Sequence, residues 1–269
     1  MRVRPKPNSA PDDLAFGINA VAAALGRGLA RSVSHLEDVT NPRVLALLES
    51  ARTTGVPVAS VNLQRLDDLT KGGVHQGIIA RLKRLPETDL RGLKDGTGPA
   101  LTVLLDGITD PQNLGSILRT AVALDVEAVV LPRRRGALLT PGVHRASAGL
   151  SFLAPVTAPQ NLAAAVRRLR EGGFWVVASD AAGEEDATQF DWPDRTALVL
   201  GSEGKGVSRL LRDEADFTVA LPMGKEAESL NVGVAFGALG YLWRRRWPTG
   251  TVTRGASSAT SRTAQSPPP

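Results

Sequence analysis

Cysteine is absent from this chain of 269 residues, which removes disulfides, thiolate zinc sites and a cysteine nucleophile of the kind that attacks a pyrimidine ring. Histidine is scarce: His35, His75 and His144 stand far apart without metal-ligand spacing, so no metal is expected. No apolar run reaches the length of a membrane span. Met1–Asp13 carries Arg2, Arg4 and Lys6 but lacks the apolar core of a signal peptide. A cytoplasmic protein without membrane partners is the expectation. Acidic residues are outnumbered, 27 Asp and Glu against 32 Lys and Arg; the net charge of +5 favours an anionic partner, nucleic acid ahead of a membrane surface.

What is present suits one large or two modest globular domains, with 42 % hydrophobic residues to build their cores. Phe16–Leu25 reads as a helix, with apolar Ile18, Val21, Ala22 and Leu25. Asn41–Ser50 reads as another, with Pro42 suited to its first turn. Val56–Val61 and Ile78–Leu82 read as short strands, so a small α/β domain is expected over residues 14–85, after a basic extension over 1–13. Pro86–Pro99 is polar, glycine-containing and without apolar periodicity, which marks a linker. From Ala100 strands alternate with helices. The strands are Leu101–Leu105, Ala128–Leu131, Trp175–Ala178, Ala197–Leu200 and Phe217–Leu221, and the helices are Leu114–Leu124, Leu162–Glu171 and Leu230–Trp243. Near-continuous apolar strands separated by helices predict a parallel sheet covered on both faces. The Thr, Ser, Ala and Pro-rich tail 248–269 is expected to be disordered.

Two turns follow apolar strands where ligands of parallel sheets bind: Gly201-Ser202-Glu203-Gly204-Lys205-Gly206, and Leu221-Pro222-Met223 with Glu228-Ser229-Leu230-Asn231-Val232 after it. The first fails the nucleotide-phosphate loop, because Lys205 is followed by Gly206 and no hydroxyl is placed for magnesium. It fails the dinucleotide pattern as well, lacking a third glycine that opens a helix. A turn of little bulk with one carboxylate is left, open to a flat ligand or simply a tight loop. A third segment, Asp106-Gly107-Ile108-Thr109-Asp110-Pro111-Gln112-Asn113-Leu114-Gly115-Ser116-Ile117-Leu118-Arg119-Thr120-Ala121, leaves a strand and opens a helix.

These three segments, in this order, resemble the three motifs of the SpoU/TrmH class of SPOUT RNA methyltransferases. The resemblance runs from about Gly17 to Leu242 and takes in Gly72-Gly73-Val74-His75-Gln76-Gly77-Ile78, as in two-domain members that methylate rRNA. It implies an α/β fold: a parallel-sheet SPOUT domain with a trefoil knot over 100–247, preceded by a small L30e-like α/β domain that binds the RNA substrate. It also implies S-adenosylmethionine as cofactor, a homodimer, and methyl transfer to a ribose 2′-oxygen, most naturally on a guanosine of 23S rRNA. A tRNA guanosine 2′-O-methyltransferase and a noncatalytic RNA-binding or ribosome-assembly protein are the alternatives.

By the same resemblance Asn113, Arg119, Glu203, Ser229 and Asn231 are the catalytic set. Arg119 would take the 2′-hydroxyl proton with help from an RNA phosphate; an arginine is a demanding base, so clamping that phosphate carries equal weight. Leu200, Gly201, Ser202, Glu203, Gly204, Gly206, Leu221, Met223, Ser229, Leu230 and Asn231 would surround the cofactor, chiefly with main-chain groups. Plain structural uses compete: Asn113 and Ser229 also read as helix N-caps. Arg119 sits among Ile117, Leu118 and Ala121 on what reads as an apolar helix face. For RNA, the basic cluster Arg133-Arg134-Arg135 with His144 and Arg145 lies at the motif end of the sheet, and Lys71, His75 and Gln76 are candidates in the small domain. Arg244-Arg245-Arg246 ends a helix, where the dipole alone favours cations. Two positions depart from the family pattern: Gly233, where serine is frequent, and Leu150-Ser151-Phe152, where small residues and a glutamate are common.

Overall fold

The computed structural model describes residues 13–132, 139–227 and 229–248. Residues 1–12 of the basic extension, Arg133, Arg134, Arg135 and nearly all of the C-terminal tail lie outside them.

The first unit is a four-stranded sheet with three helices. Its elements are β1 (Leu14–Phe16), α1 (Ile18–Gly26), β2 (Ala30–Leu36), α2 (Pro42–Thr53), β3 (Val58–Val61), α3 (Leu63–Thr70) and β4 (Ile78–Leu82), with strand order β1-β4-β2-β3. β4 pairs antiparallel with β1 and β2, and β3 joins β2 in parallel. Asn41 caps α2 by accepting from the Arg43 N–H, with Pro42 at the first helical position. Ile18, Val21 and Leu25 of α1 close over Val33, Val44, Leu48 and Ile78 as one core. β1, β2 and α3 were not legible in the sequence, because β1 is too short and β2 carries Arg31, Ser32 and Ser34 between its apolar residues.

The second unit is a seven-stranded, wholly parallel sheet in the order β7-β6-β5-β10-β8-β11-β9. Along the chain run β5 (Ala100–Asp106), α4 (Pro111–Ala123), β6 (Ala128–Val130), α5 (Pro141–Ala146), β7 (Val156–Thr157) and α6 (Leu162–Glu171). There follow β8 (Trp175–Ser179), β9 (Glu185–Asp186), β10 (Arg195–Gly201), α7 (Arg209–Asp213), β11 (Phe217–Ala220) and α8 (Val232–Arg246). The near-continuous apolar strands have the predicted cause. In β5, Leu101, Val103 and Leu105 face one core with Ile117, Leu118, Phe236 and Trp243 of α4 and α8. Ala100 and Leu104 face the other, with Val166 and Leu169 of α6 and Leu211 of α7. The pieces that sequence periodicity did not show, α5, α7, β7 and β9, span two to six residues, too few for a period to register.

The segment expected to be a free linker is docked. Leu90, in a 3-10 turn over Leu90–Asp95, is buried against α6, and the Arg195 guanidinium donates to the carbonyls of Leu93 (2.5 Å), Gly96 (2.8 Å) and Gly172 (3.1 Å). Arg195 also lies over the Phe174 ring, 4.4 Å from its centroid. Leu90, Leu93 packed beside it, a Thr88 N–H bond to the Val156 carbonyl (2.8 Å) and one arginine seat this polar segment, and none of these produces periodicity. The two units also touch directly: Phe152 packs with Ala15, Ala20, Ala24 and Leu82 of the small unit.

Candidate active site

The loop after β5 turns into α4 through Asp110, whose carboxylate accepts from the N–H groups of Gln112 (3.3 Å) and Asn113 (3.2 Å). Asp110 is therefore the N-cap in place of Asn113, and the Asn113 side chain, one turn in, is released for other work. At α8 the cap is Asn231, whose Oδ1 accepts from Gly233 (2.9 Å) and Val234 (3.3 Å); Ser229 lies ahead of the helix without capping it. The carboxamide of Asn231 then donates from Nδ2 to Asn113 Oδ1 (2.7 Å) and to Glu203 Oε1 (2.9 Å), and Asn113 Nδ2 donates to the same Glu203 oxygen (3.0 Å). Three loops far apart in sequence are joined by these three side chains. Glu203 Oε2 makes no hydrogen bond among the described residues.

Glu203 is held there by the glycine turn. Gly201 ends β10 beside Asp106, and a Cβ on it would lie 1.9 Å from the Gly206 carbonyl carbon, so no other residue fits. Gly206 N–H donates to the Ser202 carbonyl (2.8 Å), and the Asp106 carboxylate accepts from Ser208 N–H (2.8 Å), fastening the turn to the end of β5. Gly204 and Gly206 adopt φ of 80° and 62° with open space on the Cβ side.

Beside the turn lies a cavity of about 390 Å³, within the range of small-molecule sites. Leu200, Gly201, Ser202, Glu203, Gly204 and Gly206 form one wall, and Leu221, Met223, Ser229 and Leu230 the other; Asn231 sits next to it. Leu200, Leu221, Leu230 and Val232 supply apolar surface that suits a flat ring, and the turn supplies main-chain groups. Among the lining residues missed in the sequence are Asp180, at the carboxyl end of β8, and Arg212 of α7, which form an ion pair at 3.0 Å. The strand-end rule that located the other loops applies equally to Asp180.

Arg119 is on the solvent side of α4, with Gln112, Ser116 and Ala123, while Ile117, Leu118 and Ala121 face the core. The expected apolar surroundings are thus a misreading: the neighbours in sequence are apolar, those in space are not. Arg119 makes no hydrogen bond or ion pair among the described residues and is free to engage something else.

The RNA candidates divide. Lys71 is exposed at the left-handed C-cap of α3. His75 holds its own loop: Nδ1 accepts from Gly77 N–H (3.0 Å), which leaves Nε2–H for Asp67 (3.2 Å). Gln76 caps α1 through Oε1, accepting from Ile18 N–H (2.9 Å), and Arg145 is exposed on α5; these two converge on a pocket between the units. His144 is a correction. It is fully buried, stacked on Phe152 at 4.3 Å and hydrogen-bonded through Nδ1 to Ser151 Oγ (2.8 Å), so it has no surface to offer RNA. Burial pushes it down to about 4, the Leu139 backbone offsetting part of the effect. The Leu150-Ser151-Phe152 departure belongs to this buried contact. The Gly233 departure is steric: a Cβ there would lie 2.9 Å from Ser116 Oγ.

Residues 100–241 match the SpoU rRNA Methylase family, and residues 14–88 match the RNA 2′-O ribose methyltransferase substrate binding family. The 23S rRNA (guanosine-2′-O-)-methyltransferase RlmB of Escherichia coli K12 is 39% identical over 232 residues, 84% of this chain and 95% of that protein. RlmB of Photobacterium profundum is 37% identical over 231 residues, 84% of this chain and 94% of its own. Among solved structures, the SpoU methyltransferase AviRb from Streptomyces viridochromogenes, in complex with AdoMet, superposes with a TM-score of 0.73 at 27% identity, covering 88% of this chain and 91% of that one. Both units are matched in their expected order, and relatives align along nearly their whole length; the chain belongs to the SpoU rRNA methylase family.

Proposed function

We propose that this protein is an S-adenosylmethionine-dependent RNA ribose 2′-O-methyltransferase acting on a guanosine of 23S rRNA. The observation that carries the reading is the hydrogen-bonded trio Asn113, Glu203 and Asn231, which joins the three motif loops at the mouth of the 390 Å³ cavity. RlmB relatives at 37–39% identity and the substrate-binding match over 14–88 favour rRNA over tRNA. The cavity fits the cofactor: apolar walls for the adenine, a main-chain turn for its polar edge, and space left open by Gly204 and Gly206.

Bound there, the cofactor supplies an electrophilic methyl group. The chain's own residues do the rest. Arg119 engages the RNA at the reacting ribose, as phosphate clamp or proton acceptor. Asn113 and Asn231 fix Glu203, whose free oxygen orients the substrate hydroxyl or the arginine. Positioning of this kind is worth roughly 7–11 kcal/mol in good intramolecular cases. The RNA contacts in this reading are Lys71, Gln76 and Arg145, with Arg133, Arg134 and Arg135 beyond the described residues. The homodimer uses the outer face of α4 and α8, where Val234 and Tyr241 are each 57 % exposed. The family's trefoil knot is part of the reading, supported by β10 lying between β5 and β8 and by α8 returning to pack on α4. A cytoplasmic location accords with it; among the described residues no helix is long and apolar enough to cross a membrane.

Two measurements test the proposal. Calorimetry should detect S-adenosylmethionine binding at one site per chain, and 23S rRNA from cells lacking the protein should lose one ribose methylation that the wild-type gene restores. An unchanged methylation map would refute it.

A further inference from the structure

The seam between the two units holds a second pocket, of about 170 Å³, lined by Phe16, Gly17 and Asn19 on one side, Val74 and Gln76 on the glycine-rich loop, and Arg145 of α5 opposite. We propose that it receives a guanine base of the RNA flanking the methylated nucleotide; the inference rests on the reading of the protein as an RNA methyltransferase and names a specificity pocket for its substrate.

The pocket offers donors. Gln76 has its Oε1 committed to Ile18 N–H, so its Nε2 hydrogens are the free end of a fixed amide. The Arg145 guanidinium makes no hydrogen bond or ion pair among the described residues, and Asn19 Oδ1 accepts from Arg43 (2.8 Å), which leaves its Nδ2 as a further donor. A base edge made only of acceptors answers such a set. Guanine presents O6 and N7 together, the pattern that arginine reads bidentately, whereas adenine places an N6 donor in the same place. Val74, 65 % exposed, and Phe16 supply apolar surface for the ring.

Close packing between the units shapes the walls. Gln76 and Ala148, on opposite sides of the seam, both hold left-handed backbone (φ 53° in each), the kind of strain kept where surrounding structure enforces it. Gly149 lies so close to α1 that a Cβ would be 2.8 Å from Ala23 Cβ and from the Asn19 carbonyl. The pocket also neighbours the chemistry. α5 packs on α4 through Gly115, whose Cβ would lie 2.4 Å from that of Ala146, the residue after Arg145; Arg119 is about one helical turn beyond Gly115.

The test uses the full-length protein, a 23S rRNA transcript and fluorescence anisotropy, with guanosines replaced by adenosine one at a time. The wild type should lose roughly ten- to a hundred-fold affinity at one position and little elsewhere. Arg145→Ala should already carry that loss and show no further drop at the same position, and Val74→Ala should weaken binding of the unaltered transcript without changing thermal stability. Uniform weakening by Arg145→Ala across all substituted transcripts would make it a phosphate contact and overturn the proposal. So would unchanged affinity with lowered stability, which would make the seam a domain clamp. Because binding is the readout, a protein that binds as expected but methylates nothing would refute the proposed function alone.

Discussion

Asn231 serves two structures at once: Oδ1 closes the first turn of α8 while Nδ2 reaches Asn113 and Glu203. Asn231→Ala should therefore cost about 1 kcal/mol of stability from the lost cap, read by chemical denaturation, and lower methyl transfer because Glu203 is no longer fixed. Ser229→Ala, at the position that looks equally like a cap in sequence, should stay within about 0.5 kcal/mol of the wild type. Arg119 gives the opposite pairing of effects. It is exposed and unpartnered among the described residues, so Arg119→Ala should leave stability and S-adenosylmethionine affinity nearly unchanged while lowering turnover by about a hundred-fold or more. Arg119→Lys keeps the charge and loses the planar fork; if fork geometry or guanidine chemistry matters, single-turnover rates should fall almost as far as for alanine. Substantial turnover in Arg119→Ala would return the residue to the surface.

Among the elements, α4 illustrates how a short motif is divided between scaffold and chemistry. Asp110 and Pro111 start the helix, Leu114, Ile117 and Leu118 anchor it, and Asn113 and Arg119 are left over on other faces. The docked segment over residues 86–99 is the element-scale surprise, since its seat depends on a guanidinium that comes almost a hundred residues later. Arg195→Ala removes charge-assisted hydrogen bonds to four carbonyls, those of Leu93, Gly96, Gly98 and Gly172, and the contact with Phe174. A loss of about 1.5–3 kcal/mol is expected, with faster proteolysis within this segment as the local readout. Cleavage unchanged from the wild type would show that the segment is seated without Arg195.

At the scale of the whole molecule, the seam carries a titration. Buried His144 stays neutral in the folded protein down to about pH 4, whereas in the unfolded chain it takes its proton near pH 6.5. The unfolded state therefore binds more protons between those limits, and stability must fall as pH drops from about 6.5 to 4, by roughly 3 kcal/mol, with no further loss from this group below. Denaturation midpoints at pH 7 and 4.5 should differ less in His144→Gln than in the wild type. The outer face of α4 and α8 carries the other large-scale prediction. Analytical ultracentrifugation should find a dimer at micromolar concentration, and Val234→Asp with Tyr241→Asp should yield monomers that lose activity but retain their fold. A wild-type monomer at that concentration would sink the dimer.

Features specified by local chemistry were legible in the chain itself. The period of the apolar residues gave the parallel sheet and its covering helices, and the glycines over 201–206 marked a turn of little bulk after a strand. The family motifs marked Asn113, Glu203 and Asn231, although nothing in their spacing says that the three meet. Whether a side chain faces water or core is a different kind of question, because it depends on which remote element packs above it. His144 and Arg145 make the point most directly. They are adjacent basic residues on a six-residue helix, and the same loop chemistry was expected of both. Phe152 and Ser151 cover one and not the other, so one became a neutral buried ring and the other an open guanidinium at the domain seam. Tertiary packing alone made that choice, since desolvation is set by neighbours in space and leaves no period in the sequence.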